Sequence, residues 1–75
     1  MDDDKRAPVR RIRIGQVTAS VWKNDGSERA FYTVTLQRSY KDGDGTWKNG
    51  DNFNHDDLLN AAKVLERAES WICSQ

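Results

Sequence analysis

The hydrophobic period of this chain changes once, at Asn54. Before it, apolar residues recur at every second position, as in strands with one covered face. After it, they recur every three to four, as in a helix. A single helix behind a run of strands restricts the architecture to an antiparallel sheet of three to four strands with one C-terminal helix. That is an α+β domain of order β-β-β-β-α. At 75 residues the chain makes one domain, expected to occupy residues 9–75. The opening "MDDDKRAP" resembles a protease-cleavage tag, and residues 1–8 are set aside as a remnant or a natural tail.

Within "RRIRIGQVTASVWKN", Ile12 and Ile14 fall on one parity and Val17, Ala19 and Val21 on the other, with Gly15 at the change. A bend, a bulge or a tight turn at Gly15-Gln16 would bring both sets to one side. "NDGS", Asn24 to Ser27, supplies a second turn. "RAFYTVTLQRSY" is then the clearest strand, with Tyr32, Val34 and Leu36 on one side and Phe31, Thr33, Thr35 and Gln37 on the other. A third turn at Asp42–Gly45 leads into a more polar return strand over Thr46–Phe53.

Between Ser39 and Asp57 stand five aspartates, three glycines and three asparagines, a composition that calcium loops share. Counted from Asp42, however, Trp47 falls where an EF-hand loop requires glycine, and Phe53 where it requires the bidentate glutamate. The run is read as turn chemistry, with no metal site.

Asn54 is a good N-cap, Asp57 three residues on completes a capping-box-like pattern, and the following stretch to Cys73 lacks proline and glycine. A helix of about eighteen residues is expected. Leu58, Ala61, Ala62, Leu65, Ala68 and Ile72 form its apolar stripe, widened by Val64 and Trp71. A stripe that wide exceeds what one sheet face needs. It suggests a homodimer through Val64, Ala68, Trp71 and Ile72, unless the sheet curls round the flank. Small domains have little core of their own, and self-association is a common remedy.

One helix covers one face. If the apolar set packs beneath it, Arg11, Arg13, Thr18, Ser20, Trp22, Phe31, Thr33, Thr35 and Gln37 share the other. Aromatics, arginines and small hydroxyls together suit single-stranded nucleic acid, whose bases stack on rings while cations follow the phosphates. Lys23, Arg29, Arg38, Lys41 and Lys48 lie near strand ends and turns, where they extend a basic rim. Plainer readings stand beside this: a Trp22–Phe31 cross-strand contact, arginines guarding an edge strand, and Trp47 covering a minor cluster.

"YTVTLQRSYKDGDGTWKNG" followed by "NFNHDDLLNAAKVL" resembles the positive cofactor four family of transcriptional coactivators, small dimeric domains that bind single-stranded DNA. The likeness spans about Ile12 to Ile72. It implies that Arg38, Tyr40, Lys41, Trp47 and Lys48 lie at or near a DNA groove, with Arg13 and Trp22 contributing from the first hairpin. The chain also looks like short uncharacterised bacterial or phage proteins, which adds no function.

Net charge is zero, yet Lys5 to Lys41 holds nine basic residues against Asp25 and Glu28, and Asp42 to Gln75 three against seven acidic. The ends differ in sign, which suggests a basic element and an acidic one. Cys73 is the only cysteine and His55 the only histidine, placed about five helical turns apart. Neither supports nucleophilic catalysis, so no enzymatic activity and no cofactor are expected. No apolar run has the length of a membrane span or signal core, and a cytoplasmic location is expected. The sequence therefore points to a dimeric binder of single-stranded nucleic acid, DNA in the first instance, or else to a protein-interaction or assembly module.

Overall fold

The computed structural model describes residues 7–26 and 28–75; most of the N-terminal tail and Ser27 of the NDGS turn lie outside the described residues. Strands β1 (Arg10–Ile14), β2 (Val17–Asp25), β3 (Ala30–Lys41) and β4 (Trp47–Gly50) precede a 3-10 turn at His55–Asp57 and helix α1 (Leu58–Cys73). The strands form one antiparallel sheet in the order β1-β2-β3-β4. The expected α+β arrangement is the one observed.

The parity change at Gly15 is a two-residue hairpin. Ile14 pairs with Val17 and Ile12 with Ala19, so the two apolar sets share a face. Gly15 has φ 61°, and no other residue of the turn has positive φ. Glycine followed by a residue of ordinary φ is the pattern of a type II′ turn. A Cβ at Gly15 would also sit 2.8 Å from Asn60 Nδ2, at the start of α1. Gly15→Ala is therefore expected to cost about 1 kcal/mol, lowering Tm by about 4–8 °C in a thermal melt.

The second connection is shorter than its sequence suggests. Asn24 pairs with Phe31 and Asp25 with Ala30, so β2 continues through the first half of the NDGS segment. Asn24 Nδ2 donates to Thr33 Oγ1 at 3.1 Å, a cross-strand bond that favours continued pairing. The last strand is also shorter than expected. After Gly50 the chain leaves the sheet edge for the helix side, where Phe53 packs against the core and the Asn52 carbonyl accepts from Arg38 Nε at 2.8 Å.

At the helix start, the Asn54 N–H donates to Asp57 Oδ2 at 3.1 Å, the expected capping pattern. The core is made of small side chains: Val17, Ala19 and Val21 of β2 against Ala61, Val64 and Ala68 of α1. Ala61 and Ala68 of the expected stripe and Val64 of its flank are thus in the core. Val64 is 0% exposed and Ala68 is buried, both within the single chain. Trp71 meets Tyr32 edge to face, centroids 5.9 Å apart, and Ile72 packs beside the core. Leu58, Ala62 and Leu65, also placed in the stripe, are exposed instead. The reason is steric. Val17, Ala19 and Val21 are short, and α1 lies close over β2 by presenting its own short residues, whereas Leu58 and Leu65 would hold it away.

Candidate functional site

Directly opposed residues of an antiparallel ladder share a face, so the register assigns every strand residue to a side. On the side away from α1 stand the rows Arg11–Ser20–Thr35, Arg13–Thr18–Gln37, Trp22–Thr33, Asn24–Phe31, Ser39–Asn49 and Lys41–Trp47. Among the described residues, the strand positions of this face hold three cations and three aromatics and none is acidic. Asp25, the one acidic residue in a strand, has the helix-side parity.

The residues are laid out along the face. Trp22 and Phe31 are diagonal neighbours, about 7–8 Å apart in the backbone. Beside them the arginines and small polar side chains line a concavity of about 380 Å³ bounded by Arg11, Arg13, Trp22, Gln37 and Asn49, among others. Lys41 and Trp47 form the far end, eight residues along β3 from the level of Trp22, or about 26 Å. Phe31 and Trp47 are 52% and 58% exposed, a large apolar surface to leave in water.

Local bonds orient these groups. Trp22 Nε1 donates to Thr35 Oγ1 at 3.0 Å, which leans the indole along β3. That bond engages the only N–H donor of the side chain. Arg13 Nε donates to the Gly15 carbonyl at 2.9 Å, anchoring the guanidinium by one nitrogen at the hairpin. Ser39 Oγ donates to Asn49 Oδ1 at 3.1 Å. An arrangement of this kind can stack flat rings and pair with anions; it contains no nucleophile held by a base.

Other expected site residues do not share this surface. Lys23, Arg38, Tyr40 and Lys48 all have the helix-side parity, because Lys23 opposes Tyr32, Arg38 opposes Val17 and Gly50, and Tyr40 opposes Lys48. Arg38 holds β3 to the helix start: besides its bond to Asn52, its Nε lies 3.5 Å from Asp57 Oδ2, and its Cζ sits 5.2 Å from the Tyr40 ring centroid. Lys48 Nζ binds Asp42 Oδ2 at 2.9 Å. The groove expected from the family resemblance thus divides between two sides of the sheet. Ser39, Asn24 and Asn49 were not singled out in the sequence, although extending the β3 alternation two positions past Gln37 puts Ser39 on the face.

The aspartate-rich run is a turn. Asp42 Oδ1 accepts from the N–H groups of Asp44 and Thr46 at 2.9 and 3.3 Å, and Gly45 takes φ 83°. The Lys48 ammonium, followed by the Asp44 N–H, holds the Asp42 carboxyl below its usual 3.8. Among the described residues, no three His, Cys, Asp or Glu side chains come together as a metal site would require.

At the far end of α1, Cys73 Sγ donates to Glu69 Oε2 at 3.2 Å, and that carboxylate pushes the thiol pKa upward, favouring the less nucleophilic protonated form. At the near end a hollow is bounded by His55, Asp56, Leu58 and Leu59, with Leu59 84% exposed. Among the described residues no helix is long and apolar enough to cross a membrane. Comparison of the chain with protein-family models, with curated proteins and with solved structures finds no match.

Proposed function

We propose that the sheet face opposite α1 binds single-stranded nucleic acid, DNA in the first instance, without catalysing a reaction. One observation carries the reading: strand parity gathers Arg11, Arg13, Lys41, Trp22, Phe31 and Trp47 on one face whose strand positions hold no carboxylate. Bases stack on the rings, and the cations follow the phosphates. The indole N–H of Trp22 is bonded to Thr35, so recognition there works through stacking and tolerates different bases. The zero net charge is compatible with this, since among the described residues the acidic side chains lie mainly in the turns and along α1. The resemblance to the positive cofactor four family agrees in partner class, though here Arg38, Tyr40 and Lys48 serve the helix side.

The test is an anisotropy titration of a labelled oligonucleotide at several salt concentrations. With Arg11, Arg13 and Lys41 each neutralising one phosphate, log K should fall against log salt with a slope of about −2. A flat salt response, or no binding at low salt, would reject the proposal. A second reading, a module that docks another polypeptide, draws on the exposed Leu58, Leu59 and Leu65 along α1. That reading expects salt-insensitive association that Leu59→Asp abolishes.

A further inference from the structure

Strand β3 has twelve residues, and its two neighbours cover it unequally. Strand β2 pairs with it from Ala30 to Arg38, but β4 pairs only from Arg38 to Lys41. From Ala30 to Gln37 the outer edge of β3 has no strand beside it among the described residues.

The hydrogen-bonding phase of that edge follows from three bonds. Val9 N–H donates to the Val21 carbonyl, so the odd-numbered residues of β2 direct their backbone groups to the β1 side. Ser39 N–H donates to the Gln16 carbonyl, so Ser39 faces toward β2, and Asp42 N–H donates to the Thr46 carbonyl, so Asp42 faces the β4 side. Backbone direction alternates along a strand. Phe31, Thr33, Thr35 and Gln37 therefore bond to β2, while Tyr32, Val34 and Leu36 direct their N–H and C=O groups outward.

The exposed edges of a sheet are usually blunted by charge, proline, a bulge or brevity. Strand β1 has Arg10, Arg11 and Arg13 along its length, and β4 has only four residues. The open stretch of β3, AFYTVTLQ, has none of these protections. Its helix-side residues Tyr32, Val34 and Leu36 are also only half-buried, because α1 lies over β1 and β2 and reaches β3 mainly through Trp71.

We infer that this edge pairs with the same edge of a second copy of the chain, antiparallel about Val34, joining two sheets into one of eight strands. The segment is self-complementary in that register. On the helix side Val34 opposes Val34 of the partner subunit, and Tyr32 opposes Leu36 of the partner subunit. On the open side Thr33 opposes Thr35 of the partner subunit, and no pair brings like charges together. Aromatic–aliphatic and Thr–Thr pairs are favourable cross-strand combinations. The outward groups of Tyr32, Val34 and Leu36 are those that such a pairing bonds, and the half-covered apolar residues gain neighbours. A two-fold axis normal to the sheet keeps both helices on one side and makes the two basic faces continuous.

The experiment uses the whole chain without nucleic acid, so it can fail while the binding proposal stands, and the reverse. Sedimentation from micromolar to millimolar concentration should show the mass rise to twice 8.6 kDa. In a mixed isotope-labelled sample, Hα of Thr33 in one copy should contact Hα of Thr35 in the other. The Tyr32, Val34 and Leu36 amides should be protected from exchange at high concentration and lose protection on dilution. Val34→Pro deletes one outward N–H and should leave a monomer; should it unfold, the labelled native sample still decides. A chain that stays monomeric at millimolar concentration overturns the inference. So does a dimer whose intermolecular contacts lie at Leu58, Leu59 and Leu65, or one in which the N-terminal segment occupies the β3 edge.

Discussion

Val64→Asp is expected to leave the chain unfolded at 25 °C, with collapsed amide dispersion and no cooperative thermal transition. Val64 is 0% exposed and packs with Val17, Ala19 and Val21 in the core between helix and sheet. A domain of this length holds about 4–11 kcal/mol in total, and an unpartnered charge placed in such a layer costs several. The milder Val64→Ala should remove about 2 kcal/mol through lost burial and the cavity left behind, a fall in Tm of about 8–16 °C. Leu59→Asp, at a position 84% exposed, should move Tm by only a few degrees. If substitutions at Leu58 or Leu65 proved costlier than those at Val64, α1 would have to sit rotated on the sheet.

The second large effect concerns Trp22. If bases stack there, Trp22→Ala should weaken oligonucleotide binding by about 5- to 150-fold, the equivalent of 1–3 kcal/mol. Trp22→Phe keeps a ring but loses the bond to Thr35 and should retain most of the affinity. Lys48→Ala, on the opposite side of the sheet and paired with Asp42, should change affinity by less than about twofold. Thermal melts of the same variants separate binding from folding. Losses of affinity that merely track losses of stability, or a Lys48→Ala defect as large as that of Trp22→Ala, would show the ring to be structural and the chosen face to be wrong.

The strand order and the composition of the two faces were legible in the sequence because they depend on local rules. Alternation over Ile12–Val21 and Tyr32–Leu36 has a period of two whatever surrounds it, and Gly15 could only mark a turn or a bulge once the parity changed. Asn54 and Asp57 announced the helix start through bonds made within four residues. The separation of Trp22, Phe31, Arg11 and Arg13 from the covered face followed from the same alternation.

The helix orientation was not legible. The stripe read from the sequence took in Leu58, Ala62 and Leu65 beside Ala61 and Ala68; packing distance keeps the short residues and turns the leucines out, since the valines and alanine of β2 admit only short partners. The side of the sheet taken by Arg38 and Lys48 was likewise not legible, because proximity to a turn says nothing about parity until the ladder is known.

The sequence by itself determined the order of strands, turns and helix and which side chains alternate together, since neighbours a few positions apart settle these matters. Only the tertiary structure decided which helix face touches the sheet, how far β4 accompanies β3 and which backbone groups remain at its edge. Those depend on contacts between segments distant in the chain, where side-chain volume and the reach of each strand outweigh local preference.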